Sequence, residues 1–329
     1  MTKKAGGKLG LMRTISDLYP GLIEKARKTI EASEKEYERQ TSGQAGSFLW
    51  EHTLYVASLA FELALDEGLD PILPSLAALF HDAGKFAGGV YHKGRRPEEE
   101  DSAALAEVVL GKTGVPRAAI AKVRKAIRAL YDGATRRDFI ADLVHDADFL
   151  SKFGYLGIAN FFIKSTLRGR NLNGAIMNSL SKELTYASAL PSNMRTEVGR
   201  RAAIKKARDT QRFFRALLHE LKETLGVEYR LRKARIFRPG DDERMIEVRL
   251  VIPATCASCG GTWKRELDLE KGVKCLTMNA LLRCSDCGDS YTISFCLPEV
   301  PPKARSVGRG PDPDGSHKFM RSRRRGAHL

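Results

Sequence analysis

The stretch Leu79-Phe80-His81-Asp82-Ala83-Gly84-Lys85 ends an apolar run, Leu73 to Phe80, whose length and composition predict a buried helix. A histidine and an aspartate side by side at the end of such a run lose hydration together, which costs free energy unless each finds a partner. A bound divalent cation would satisfy both at once. For this dipeptide taken alone, a capped helix end with a satisfied histidine is the simpler alternative.

Two further segments repeat the pattern. Phe48-Leu49-Trp50-Glu51-His52-Thr53-Leu54-Tyr55 opens a helical stretch with Leu54, Ala57, Leu59, Ala60, Phe61 and Leu63 behind a lone His52. Leu143-Val144-His145-Asp146-Ala147-Asp148-Phe149-Leu150 sets acids in an apolar segment. His52, His81, Asp82 and Asp148 thus fall on three separate helices, each beside residues suited to a core.

The order H…HD…D, with its last element of ADxL type, resembles the HD-domain metal-dependent phosphohydrolases. Gly84-Lys85 after the His-Asp pair, Gly154 to Ala159 after the last Asp, and the run from Met194-Arg195-Thr196 to Arg208 are similar to segments of bacterial members. The likeness covers residues 48–225. It implies an all-α fold and a metal held by His52, His81, Asp82 and Asp148, with Asp82 also orienting the attacking water. Asp146, two residues from Asp148 and so on another side of a helix, is the fallback ligand. Lys85 is either a phosphate clamp, as the resemblance also implies, or a helix C-terminal lysine facing the dipole. Arg95 and Arg96 are weaker substrate-binding candidates on a glycine-rich loop, where His92 reads as a loop histidine.

Two imidazoles and two carboxylates make a mixed N/O shell that suits Mn²⁺, Fe²⁺, Co²⁺, Ni²⁺ or Mg²⁺. Some members of the family carry two further histidines and two metals. Glu98 to Ser102 and Ile127 to Tyr131 occupy the comparable stretches without a histidine, so a mononuclear site is expected.

All six cysteines lie between Cys256 and Cys296. Cys256-Ala257-Ser258-Cys259-Gly260 and Cys284-Ser285-Asp286-Cys287-Gly288 are two CxxC knuckles, in which close spacing lets two thiolates meet one ion and the glycine permits the turn. Cys256, Cys259, Cys284 and Cys287 would give the closed tetrahedral shell of a structural Zn²⁺, and the segment resembles a zinc ribbon. Cys275 and Cys296 fall outside that spacing and read as small buried residues.

The fold expected is α+β and multidomain: a mainly all-α HD-type helical domain followed by a small β-rich zinc ribbon. The boundaries run 1–16 for a flexible N-terminus, 17–226 for the helical domain, 227–300 for a β-hairpin plus zinc-ribbon-like module, and 301–329 for a basic disordered tail. Hydrophobic spacing changes from helical to alternating after Gly226, in Val227 to Arg232 and again in Met245 to Ile252. Helix breaks are expected at Gly169, Pro191 and Gly226.

Fifty-five Lys and Arg against 40 Asp and Glu leave a net charge of +15. Such a field favours polyanions, and at low salt attracts nucleic acid without any specific site. No apolar run approaches the roughly 18 residues that would span a bilayer, and no signal peptide is evident, so a cytoplasmic protein without membrane association is expected. The partners expected are a phosphorylated small molecule or nucleotide as substrate, and nucleic acid through the basic surface and tail. The activity expected is hydrolysis of a nucleotide or other phosphorylated anion, of phosphomonoesterase, nucleotidase or phosphodiesterase type. The alternatives are an HD-type nuclease on RNA or single-stranded DNA, and a non-catalytic adaptor binding nucleic acid or protein. Oligomeric state is not legible.

Overall fold

The computed structural model describes residues 7–41, 48–89, 97–130, 138–167, 169–236, 245–251, 253, 255–271 and 275–298. Ten α-helices run in order among them: α1 (Gly7–Leu18), α2 (Leu22–Thr41), α3 (Phe48–Asp66), α4 (Ile72–Phe80), α5 (Glu98–Gly111), α6 (Arg117–Ala129), α7 (Phe139–Ser151), α8 (Gly154–Leu167), α9 (Leu172–Asn193) and α10 (Glu197–Leu225). Five strands follow: β1 (Arg230–Ile236), β2 (Met245–Val251), β3 (Trp263–Lys271), β4 (Cys275–Cys284) and β5 (Ser290–Pro298). The molecule is therefore mostly helical, with two small antiparallel sheets, β1-β2 and β3-β4-β5.

The helices sort by how apolar they are. α3 and α4 are hydrophobic nearly all round, and Leu76 to Phe80 have no exposed surface. They pack at the centre with α7, whose residues 141–148 are all buried. More polar, one-sided helices surround them, as expected where only one stripe has a core to face. Local signals set several starts. Asp138 accepts from the backbone N–H groups of Ile140 and Ala141, Asn171 from Gly174 and Thr196 from Gly199, each satisfying a donor that a helix start leaves unpaired. Gly226, left-handed at φ 67°, ends α10.

Residues 1–6 lie outside the described residues, and from Gly7 on the segment expected to be flexible is helical. α1 begins at Gly7, and Leu11 and Ile15, one helical turn apart, are fully buried in the main core. Pro191 does not break its helix either: it sits in the last turn of α9, which continues to Asn193.

Nor is the change of period after Gly226 a gap in packing. One core joins α1–α7 to the end of α9 and the start of α10. A second joins Ile158, Phe161, Ile176, Leu180, Leu184, Phe214 and Leu218 from α8–α10 to Val227, Tyr229, Val248, Leu282 and Tyr291 of the β region. β2 docks directly on α9: Val248 N–H donates to Thr185 Oγ1 at 2.9 Å and Leu250 N–H to Ser181 Oγ at 2.8 Å. Secondary structure changes at residue 226, and the second core runs across that point. Residues 301–329 lie outside the described residues.

Candidate metal centre

α3, α4 and α7 bring their polar residues to one place. His52 lies on α3, His81 at the C-cap of α4, Asp82 just beyond it, and Asp148 on α7; all four are buried. One ligand atom each from His52, His81 and Asp148 lie within 4.8 Å of one another. His52 Nε2 is 3.4 Å from Asp148 Oδ1, and His81 Nε2 is 3.9 Å from the same oxygen. Asp82 stands beside this group, with Oδ2 3.5 Å from His52 Nε2 and Oδ1 3.5 Å from His81 Nε2.

The state of His81 follows from its partners. Its Nδ1 lies 2.8 Å from the carbonyl of Ala78. A carbonyl only accepts, so Nδ1 carries the proton and Nε2 offers a lone pair. Burial pushes the imidazole down, towards its neutral form, against the pull of Asp82 and Asp148. Nε2 is buried with no hydrogen-bond partner. Such an orphan atom costs about 1–3 kcal/mol unless something fills its lone pair, and a divalent cation fits that donor set.

Both carboxylates are held ionised. Burial alone would raise Asp82, but His81, Lys85 and His52 overcome it and keep the carboxyl well below the usual range. Burial also opposes Asp148, which Lys152 and the two imidazoles hold well below it. Lys85 Nζ donates to Asp82 Oδ2 at 2.7 Å. Lys152 does the same for Asp148 Oδ2 at 2.9 Å.

Sequence reasoning passed over Lys152, although its position four residues after Asp148 on one helix face makes the pair legible. It also passed over Lys164 and Glu98. Lys164, on α8, lies over the Phe48 ring at 4.8 Å. Burial, then the charges of Lys85 and Lys152, lower its ammonium to about 8. Glu98 opens α5 and is pushed up to about 8 by burial and by Asp82. Gly84 explains how α5 comes so close: a Cβ there would lie 2.6 Å from Glu98 O and from Ser102 N. Its own N–H donates to Ser102 Oγ at 2.9 Å. No local signal marks Lys164, whereas Glu98 falls in the Glu98–Ser102 stretch compared above; each reaches the site through packing of a different helix.

Asp146 is not gathered with the ligands. It has no exposed surface and accepts from Arg195 N, Thr196 N and Thr196 Oγ1, each at 2.8 Å, with His145 Nδ1 at 3.0 Å. It anchors the start of α10 to α7. Gly199 makes room, since a Cβ there would come within 2.2 Å of Asp146 Oδ2. Arg95, Arg96 and His92 lie outside the described residues.

The four knuckle cysteines form a second cluster. Cys256 Sγ is 3.7 Å from Cys287 Sγ, and Cys259 Sγ is 3.4 Å from Cys284 Sγ. All four sulfurs meet within 4.8 Å, and none is in a disulfide. The two knuckles are alike. Gly260 N–H returns to Cys256 O and Gly288 N–H to Cys284 O, both glycines being left-handed (φ 76° and 78°). The N–H groups of Ser258 and Asp286 point at Cys256 Sγ and Cys284 Sγ at 3.4 Å each. Four converging thiols with N–H donors on two sulfurs are compatible with a tetrahedral metal.

Residues 49–151 match the family model of the HD domain. This span runs from the second residue of α3 to the last of α7 and contains His52, His81, Asp82 and Asp148. The structure there is an HD-type helical domain. No curated protein matches the chain. Among solved structures, a predicted HD superfamily hydrolase from an uncultured Thermotogales bacterium is 22% identical, covering 64% of this chain and 98% of its own, at a TM-score of 0.45. Bacillus subtilis YpgQ in complex with ADP is 20% identical over 60% of this chain and 96% of its own, with a TM-score of 0.43. An HD-superfamily hydrolase from Bacillus thuringiensis is 22% identical over 60% and 96%, at 0.43. Among the described residues, no helix is long and apolar enough to cross a membrane.

Proposed function

We propose that the protein is a metal-dependent phosphohydrolase acting on a nucleotide or another phosphorylated anion. The observation that carries this reading is the lone pair of His81 Nε2, buried and unpaired among His52, Asp82 and Asp148. A divalent ion there, of the Mn²⁺, Fe²⁺, Co²⁺, Ni²⁺ or Mg²⁺ class, would polarise a phosphoryl oxygen and acidify a water. The chain's own residues account for the rest. Asp82 and Asp148 stay ionised and present oxygens beside the free lone pair of His81 Nε2. Lys85 and Lys152 brace those carboxylates and remain positively charged towards an incoming phosphate. Lys164 adds a third ammonium, which its neighbours repel and which an anion would stabilise. Three lysines around two aspartates favour a substrate with phosphate charge over a neutral one.

Purified protein loaded with Mn²⁺ or Co²⁺, assayed against a nucleotide panel with an Asp82→Ala control, tests the reading. Release of phosphate or pyrophosphate that the control lacks supports it. No product from any member, despite bound metal, counts against it. The net charge of +15 keeps a nuclease as the second reading. Labelled RNA and single-stranded DNA, run beside mononucleotides in the same assay, separate the two. Zinc is the ion proposed for Cys256, Cys259, Cys284 and Cys287. One equivalent of zinc, released by thiol modification and counted with a metallochromic dye, would support it.

A further inference from the structure

α10 carries two unlike faces. Its buried seam is Ala203, Ala207, Thr210, Phe214, Leu218 and Leu221, spaced three or four residues apart. Opposite them, at the same spacing, stand Arg201, Lys205, Arg208, Arg212 and Arg215, all exposed. Residues three and four apart share a helix face. At a rise of 1.5 Å per residue, these five cations form one row about 21 Å long.

An ordinary solvated helix intersperses opposite charges, and α2 of this protein does so with Arg27–Glu31, Lys28–Glu24 and Arg39–Glu36. On α10 the direct ion pairs fall in the first half of the row, and Asp209 also lies within Coulombic reach of Arg208 and Arg212. Glu197 pairs with Arg200 and reaches Arg201 at 3.9 Å, and Asp209 pairs with Lys205 at 2.8 Å. Among the described residues Arg208, Arg212 and Arg215 have no carboxylate within ion-pairing distance, and Glu220 and Glu223 come only after them. The row keeps more cations than carboxylates, an excess of positive charge that an external polyanion relieves.

The surface continues at both ends. Past Arg215 a cleft between α10 and β1 is lined by His219, Lys222, Glu228, Tyr229 and Leu231; Glu228 pairs with Lys222 at 3.3 Å and Arg230 at 2.8 Å, and β1 further exposes Arg232 and Lys233. At the other end Tyr155 of α8 is 62% exposed and close enough to Lys205 for the two to interact electrostatically. Lys206, next in the chain, donates to Phe153 O at 3.1 Å. Phe153 follows Lys152, the partner of Asp148, so the row passes the corner beside the candidate metal centre.

We propose that this row is a binding surface for single-stranded nucleic acid, with phosphodiesters lying along α10 and a base resting on Tyr155. The charge row fits a backbone of regular negative charge, and an exposed ring at its end fits an unpaired base, which a duplex does not offer. The proposal is independent of the hydrolytic reading, because binding is measured without turnover.

The test is fluorescence polarisation of a labelled oligouridine of about 12 nucleotides on the full-length chain, carrying Asp82→Ala so that the probe is not consumed. Replacing Arg208, Arg212 and Arg215 together by Gln should weaken binding about tenfold or more at about 50 mM salt, and should flatten the log–log salt slope by about two, since each lost phosphate contact on a single strand contributes about 0.7. Tyr155→Ala should weaken binding about tenfold with the slope unchanged, as loss of stacking does. Affinity within about twofold of the parent for a triple variant with native circular dichroism would overturn the proposal and assign binding to the cations after residue 301. Equal loss of binding to anionic phospholipid vesicles, with no preference for the oligonucleotide, would overturn it in favour of a membrane surface. If the triple variant loses helicity, Arg212→Gln alone decides: a reproducible loss of about threefold supports the surface, and no loss refutes it.

Discussion

Replacing Asp146 by Ala should unlock the start of α10 without disturbing the proposed metal site. The carboxylate accepts four hydrogen bonds, and three of the donors, Thr196 N, Thr196 Oγ1 and His145 Nδ1, are in buried contacts. Leaving a buried donor unpaired costs about 1–3 kcal/mol. Thr196 Oγ1 still accepts from Gly199 N–H at 3.0 Å, which keeps the side chain in place while its own O–H loses its acceptor. Water entering the vacated space would recover part of the rest. The expected loss is about 3–5 kcal/mol, a large fraction of the stability of a typical domain. Urea unfolding followed by circular dichroism at 222 nm (the helix band) reads it as a lower midpoint at unchanged slope. Metal content by mass spectrometry, taken on the same folded sample, should equal that of the parent. A loss below about 1 kcal/mol would refute the anchoring role. A folded variant stripped of its HD-site metal would refute the ligand set instead and make Asp146 a ligand.

Three other outcomes follow from the same geometry. Gly84→Ala puts a Cβ 2.6 Å from two backbone atoms of α5 and should cost about 1–3 kcal/mol, with a fall in turnover as α5 moves away; an unchanged melting temperature would contradict this. Lys164 is lowered to about 8 by burial and by Lys85 and Lys152, below an unfolded value of about 10.4. The folded state therefore disfavours its charge. Lys164→Met should stabilise the substrate-free protein below pH 8, and the gain should disappear as pH rises from 8 to the unfolded value. The parent's KM for a phosphate substrate should climb as pH passes 8 and the ammonium is lost, a climb the variant should lack. Replacing Cys256 and Cys284 together by Ser should abolish metal binding at the zinc site proposed for that cluster and loosen the second core through Leu282 and Tyr291. Hydrogen exchange should then quicken in α9 more than in α3, α4 and α7, whereas uniform quickening would mean that the two cores do not act separately.

Much of the site was legible because its residues violate their surroundings. A histidine or aspartate inside Leu73–Phe80–Asp82 or Leu143–Leu150 stands out against apolar neighbours, and burial of such groups demands a partner whatever the fold. The CxxC knuckles were legible for a similar reason: two thiols three residues apart can meet one ion from local geometry alone. Helix starts at Asp138, Asn171 and Thr196 are local as well, since a side-chain oxygen reaches an N–H only two or three residues on.

Only the tertiary structure decided what lies across helices. Periodicity reports that a face is buried, not what covers it. Leu11 and Ile15 were hidden in a Gly/Lys-rich start because two apolar residues one turn apart become a helix only when a core receives them. The change of period at Gly226 marked strands truly, yet Ser181 and Thr185 of α9 bind β2 and carry the second core through that boundary. Asp146 and Asp148 are near-identical in sequence context. Their side chains leave α7 in different directions, one meeting the N–H groups of Arg195 and Thr196, the other meeting His52 and His81. Lys164 and Glu98 arrive from other helices, α8 and α5, because electrostatic neighbours are set by packing over a few ångströms and not by separation along the chain.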